Sequence, residues 1–248
     1  MKQINQSAVK KDAYALLSGK PLFTDDIAMK DCLIIKILRS PHAFAKIIEI
    51  DTTAASRVPG VAAIYTYKDV PDSRFTLAGQ TFPEPSPYDR KILDQIVRYV
   101  GDEVALVVAD NEETAMRAMK LIKVKYEVYE PILDFRKAID HPSVIHAEDD
   151  YKMLCEIGND RFRNILAHEE TSYNDVDEAF SHCDVVLQRT YHTKANAQAM
   201  METMRSFAYI DAYGRLNCVS STQVPFHIRR ILSNALEIPK SKIRVIKP

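Results

Sequence analysis

The run Glu103-Val104-Ala105-Leu106-Val107-Val108-Ala109 narrows more than any other segment what this chain can fold into. Near-continuous apolar, β-branched character over so short a length predicts a strand covered on both faces. Its surroundings predict what does the covering. Asp110 or Asn111 caps a helix that places Ala115, Ala118, Met119 and Ile122 on one face. Lys123 to Val128 then alternates Val124, Tyr126 and Val128 with charged residues, the period of a half-exposed strand.

The same alternation of element types precedes the run. Cys32 to Leu38 and Ala45 to Ile50 are compact apolar segments, and Asp51-Thr52-Thr53 offers a cap for a short helix over 54–58. Pro59-Gly60 ends that helix, Val61 to Tyr67 resumes as strand, and Phe75 to Tyr88, with three prolines, reads as an extended loop. Strands and helices interleaved in this way predict an α/β fold.

Glu130-Pro131 and His141-Pro142 mark a change of composition, which places a domain boundary within 129–145 and divides the chain into domains 1–135 and 136–248. Past it, Ile165 to Tyr173, Val185 to Thr193, Phe207 to Ala212 and Leu216 to Ser220 read as strands, with a short helix from Asp175 to Phe180. A longer helix, Val224 to Leu236, has Ser221 and Thr222 as candidate caps and Pro225 in its tolerant first turn. Its Ile228, Ile231, Leu232 and Ala235 share one face, and Arg229 and Arg230 are expected to point away from it. Lys242 to Pro248 reads as a strand without a continuation, the mark of a severed domain, whose edge at Ile243 to Ile246 invites self-association.

Composition excludes several functions. With 33 basic and 34 acidic residues and a formal charge of −1, no sign dominates a long stretch, so neither a nucleic-acid surface nor a polybasic membrane patch is expected. No secretory signal or membrane-spanning run is readable, and a cytoplasmic location is the default expectation. Cys32, Cys155, Cys183 and Cys218 form no C-x-x-C pair, so they read as small buried hydrophobes and not as metal ligands. No G-x-S-x-G, H-E-x-x-H, Walker or dinucleotide motif occurs, and six glycines leave little room for a phosphate-cradling loop.

Few single residues point to chemistry. His42, after Ser40-Pro41, reads as a turn histidine satisfied by backbone, and His192 and His227 have no acidic neighbour at metal-ligand spacing. Glu202 lies in Met200-Met201-Glu202-Thr203-Met204, where desolvation would raise its pKa, but pairing with Arg205 as a structural carboxylate is the simpler reading. Gln223 follows a strand and precedes a helix, a recurrent position for ligand donors.

Gly19-Lys20-Pro21-Leu22-Phe23-Thr24-Asp25-Asp26-Ile27, Arg39-Ser40-Pro41-His42-Ala43, Val97 to Ala105, Val124-Lys125-Tyr126-Glu127, Met201-Glu202-Thr203-Met204, Ser221-Thr222-Gln223 and Lys242 to Pro248 occur in an order that resembles the molybdenum-binding large subunit of the xanthine dehydrogenase and aldehyde oxidase family. The resemblance implies an α/β hammerhead domain followed by the first, truncated part of a mixed α/β molybdopterin-binding domain. It implies a molybdopterin-type molybdenum cofactor and oxidative hydroxylation of aldehydes or N-heterocycles such as purines, with electrons leaving through iron–sulfur clusters to flavin. Its partners would be the remainder of the molybdenum subunit and separate FAD-binding and iron–sulfur subunits.

Within that resemblance Gln223 matches the glutamine whose side chain approaches an oxygen ligand of molybdenum. A glycine-rich pterin-contacting segment and the catalytic glutamate match nothing here, and Glu202 does not correspond to that glutamate. No catalytic or metal-ligating residue is therefore assigned, and the polypeptide alone is expected neither to hold the cofactor nor to turn over substrate. The rival expectation is a non-catalytic interaction module that keeps the hammerhead fold.

Overall fold

The structure, a computed structural model, describes residues 4–77 and 81–248, so residues 78–80 of the expected loop lie outside it. The chain divides into two compact units. The first comprises Met1–Leu77, Arg90–Val128 and Glu202–Pro248, and the second Ala78–Asp89 and Tyr129–Met201.

Among its described residues the first unit contains three three-stranded sheets. After a short helix α1 (Ala13–Leu17), the chain forms β1 (Ile34–Arg39), β2 (Ala45–Asp51), helix α2 (Thr53–Ser56), β3 (Val61–Tyr65), β4 (Ile96–Val97), β5 (Glu103–Ala109), helix α3 (Glu112–Met119) and β6 (Lys123–Val128). These strands make two antiparallel sheets, ordered β1-β5-β3 and β4-β2-β6. The apolar run is thus the central strand of the first, and successive side chains point to opposite faces. Val107 and Ala109 pack with Ala55, Ala115 and Ala118 of the two helices, all fully buried. Val104, of opposite parity, joins Ala45, Ile47 and Val97 in a second fully buried cluster. Burial on both faces explains why β5 lacks the polar alternation seen in β6, and each such valine contributes on the order of 1.5–3 kcal/mol.

Helix α3 begins where predicted, with Asn111 as the cap: its side-chain oxygen accepts from the Thr114 N–H at 2.9 Å. Glu112 and Glu113 in the first turn and Arg117 in the last suit the helix dipole. The two-residue strand β4 is too short to carry a readable pattern.

Charged groups bind the turn between β4 and β5. Arg98 donates to Asp94 at 2.8 Å, its backbone N–H donates to Asp102 at 2.8 Å, and Glu103 accepts from Arg90 at 3.0 Å and Arg39 at 3.1 Å. Burial pushes Asp102 above the ordinary carboxylate range despite the bonds it accepts. Burial also opposes ionisation of Glu103, but its own backbone N–H and the Arg90 and Arg39 guanidiniums outweigh that and lower its pKa. The Glu103 contribution is therefore full above its ordinary value of 4.5 and is lost as pH falls through the depressed one. Glu103→Gln is expected to show a stability deficit near neutral pH that shrinks in acid, measured by urea unfolding across pH. Asp102 contributes with the opposite sign in both proteins, so most of its effect drops out of the comparison. A deficit independent of pH would contradict the ion-pair assignment.

The rest of the first unit is β7 (Ser206–Ile210), β8 (Leu216–Ser220), helix α5 (Pro225–Leu236) and β9 (Ile243–Ile246). β7 and β8 form an antiparallel hairpin, and α5 is the crossover that lets β9 pair parallel to β8. Arg229 and Arg230, expected to point away from the apolar face, are half-buried; Arg229 lies over the Phe226 ring at 5.6 Å. A guanidinium on a long apolar stem covers helix surface even off the main apolar stripe.

The second unit holds one α-helix among its described residues, α4 (Val176–Ser181), close to the predicted Asp175 to Phe180, with Asp175 as its cap: the side chain accepts from the Glu178 N–H at 2.9 Å. It contains no strand among the described residues, which corrects the expectations at Ile165 to Tyr173 and Val185 to Thr193. Ile165 makes one isolated bridge to Asp160, while Val185, Leu187 and Tyr191 are 73%, 77% and 85% exposed. An alternating pattern becomes a strand only where a neighbouring edge takes its N–H and C=O groups. What orders this unit instead is polar: Arg163 pairs with Asp140 through two bonds, at 2.6 and 2.9 Å. Asn164 bonds Ala138, Ser143 and Ile145, each at 3.0 Å.

Candidate functional site

Gln223 lies in the loop from the carboxyl end of β8 to the start of α5, and it is exposed. Each side of that loop has its own anchor. β8 is held from within: Asn217, 1% exposed, donates to Asp211 at 3.1 Å and to the Arg215 carbonyl at 3.1 Å. The Arg215 backbone N–H, the Asn217 amide, the Tyr213 N–H and the Arg215 guanidinium together hold the Asp211 carboxyl far below the usual range. That carboxylate closes the β7–β8 turn, and so sets where β8 begins.

On the far side Pro225 occupies the first turn of α5, where its missing N–H costs nothing. The N-cap position falls to Val224, whose side chain cannot accept a bond, and no side-chain bond caps α5, which corrects the expectation of a Ser221 or Thr222 cap; the Thr222 hydroxyl accepts from the Val224 N–H at 3.1 Å and shapes the turn just before the helix. Ser221 extends the β7–β8 ladder by one rung. Its N–H donates to the Arg205 carbonyl at 3.3 Å, and its hydroxyl accepts from the Arg205 N–H at 3.3 Å. Thus two polar residues before Gln223 fix the backbone and leave the amide side chain exposed.

Glu202 is half-buried, but its partner is not Arg205. Its Oε1 accepts from the backbone N–H of Thr24 at 3.1 Å and from the Thr24 hydroxyl at 3.2 Å. Arg205 instead pairs with Asp25 at 2.7 Å. Thr24 is 1% exposed and lies in a 3-10 turn, Thr24–Ile27, at the far end of the chain. Local spacing favoured the i,i+3 pair, whereas folding offered Glu202 two donors on a buried residue.

Of the histidines singled out in the sequence, His227 adjoins this loop: its N–H donates to the Val224 carbonyl at 3.0 Å. His42 sits in its turn as expected: its N–H donates to Ser40 at 3.0 Å, and its ring meets Tyr126 edge-on at 4.8 Å. His227 is half-buried in α5 and His192 is exposed. Of the cysteines only Cys218 is buried, where burial raises its thiol pKa; Cys183 is exposed at the end of α4, which corrects the uniform expectation of burial. A thiol after so short a helix has no core beneath it.

Among the described residues no group of three or more histidine, cysteine, aspartate or glutamate side chains is placed to hold a metal ion. The fit to a molybdopterin group is therefore partial. One exposed amide on a held loop can donate to such a group, but one donor does not enclose it. No helix among the described residues is long and apolar enough to cross a membrane.

Comparison with known proteins gives this geometry its context. Residues 18–130 match the family model of the aldehyde oxidase and xanthine dehydrogenase a/b hammerhead domain, and residues 158–248 match that of the molybdopterin cofactor-binding domain. The chain is 37% identical over 262 residues to "Probable hypoxanthine oxidase XdhD" of Escherichia coli O157:H7, covering 96% of this chain and 27% of that protein. It is 35% identical over 243 residues to the xanthine dehydrogenase molybdenum-binding subunit of the same organism, covering 96% of this chain and 31% of the relative. The chain thus spans about a third or less of the length of these relatives. Its fold matches that of the aldehyde oxidoreductase from Desulfovibrio gigas with a TM-score of 0.77, at 23% identity over 96% of this chain and 26% of that one. From its hammerhead match through its cofactor-binding match, the chain belongs to the aldehyde oxidase and xanthine dehydrogenase family and corresponds to part of a molybdenum-binding subunit.

Proposed function

We propose that this chain is one portion of a molybdenum hydroxylase subunit that oxidatively hydroxylates a purine, another N-heterocycle or an aldehyde, and that it is inactive by itself. The observation that carries this reading is the succession of a hammerhead match and a cofactor-binding match in one polypeptide that spans only 27% and 31% of its relatives. A bound molybdopterin group would supply the oxygen-transfer and electron-accepting chemistry. This chain would contribute Gln223, whose exposed neutral amide would donate to the group and help hold it without adding charge. The remaining contacts would come from the rest of the subunit, and iron–sulfur and FAD-binding subunits would be its partners in the complex.

The experiment is molybdenum and pterin analysis of the chain purified from its native host, alone and co-expressed with the downstream reading frame. Stoichiometric molybdenum is expected only in the second preparation, and Gln223→Ala should reduce it there. A folded chain that carries no molybdenum in either preparation would overturn the reading in favour of an interaction module.

A further inference from the structure

We propose that Glu202 is a positioning residue, and that its clasp on Thr24 holds the Ser221-Thr222-Gln223 loop in place. The chain of contacts is continuous. Thr24 presents its N–H and its hydroxyl to one oxygen of Glu202, at 3.1 and 3.2 Å, across a sequence separation of 178 residues. Three residues on, Arg205 brackets Ser221 through the backbone N–H and carbonyl, and Ser221 is two residues from Gln223.

That Arg205–Ser221 rung is the outermost of the β7–β8 ladder, and terminal rungs open easily unless tied down. Two ties are available. The Arg205–Asp25 ion pair has side chains 57% and 55% exposed, so water and salt weaken it. The Glu202–Thr24 clasp involves a residue 1% exposed and a charged acceptor taking two bonds, which makes it the stronger tie. The Thr222–Val224 bond sets the turn into α5 but reaches neither β7 nor Thr24. Without the clasp the loop keeps its shape and loses its anchorage. The consequence for Gln223 rests on the reading that its amide faces the cofactor.

Hydrogen exchange on the 248-residue chain tests the clasp without any cofactor. Glu202→Ala is expected to speed exchange of the Ser221 N–H about tenfold or more, the loss expected for bonds to a charged acceptor. Amides of β5 should stay protected. Glu202→Gln keeps an oxygen that accepts both bonds, without the charge, and should restore part of the protection. Unchanged exchange at Ser221 in the alanine variant overturns the clasp, and so does an equal rise at Ser221 and throughout β5, which reports general destabilisation. Molybdenum content of the co-expressed complex forms the second arm, expected to fall in Glu202→Ala and recover in Glu202→Gln. Fast exchange with full molybdenum loading overturns the positioning role. An unmodified complex without molybdenum overturns the functional reading instead, and leaves the clasp to stand or fall on the exchange result.

Discussion

Ile47→Ala is expected to destabilise the chain by about 2–5 kcal/mol, at the upper side of that range. Ile47 is fully buried in β2 with Ala45, Val97 and Val104, against Leu38, Ile50, Val124 and Tyr126. How much a truncated side chain costs depends on whether its surroundings can collapse into the space it leaves. Here they cannot: the Ile47 N–H donates to the Gln95 carbonyl at 2.8 Å, and the Gln95 side chain donates to the Ile47 carbonyl at 2.9 Å. Those bonds pin the backbone, and Ala45, two residues away on the same strand and face, is too short to fill the space. Urea unfolding checks this as a lower midpoint at unchanged slope. The adjacent Ile48, 47% exposed, serves as the control, and its alanine variant should cost less than about 1 kcal/mol. Equal costs at the two positions would remove Ile47 from the core.

Gly158→Ala is expected to break the local order of the second unit. Gly158 has φ +67°, and a Cβ placed there lies 2.3 Å from the His168 carbonyl oxygen and 3.1 Å from the His168 Cβ. The first obstacle is backbone, so no rotamer change relieves it; the two strands of chain must separate, which breaks the 2.8 Å bond from the His168 N–H to the Ile157 carbonyl. Gly214 supplies the comparison, with φ +70° and nothing within 4 Å of its added Cβ. Gly214→Ala incurs only the left-handed conformational cost of about 1–2 kcal/mol, whereas Gly158→Ala adds the collision and should exceed it by at least about 1 kcal/mol. Limited proteolysis within 129–201 of the Gly158 variant, against the Gly214 variant, reads this directly. Equal resistance in the two would refute the close approach.

Much of the fold was legible because its signals are local. The two-faced burial of β5, the Asn111 cap, the short helix α4, the proline in the first turn of α5 and the alternation of β6 each depend on residues within one element. Strand formation in the second unit was not legible for the opposite reason. Val185 to Thr193 carries the right period, but a period specifies which face a strand would bury and not whether an edge exists to pair with it.

For the candidate site the division is the same. Sequence by itself determined that Gln223 follows a strand and opens a helix, that the chain carries no glycine-rich phosphate loop, and that its ordered segments resemble a molybdenum-binding subunit. Only the tertiary structure decided that Glu202 takes Thr24 and not Arg205, that Arg205 is left to Asp25 and Ser221, and that Thr222 bonds the Val224 N–H before α5 and caps no helical N–H. Capping and periodicity are written within one turn of chain, where covalent geometry limits the partners. A carboxylate's choice of donor is made by burial, and burial brings together residues that are 178 positions apart.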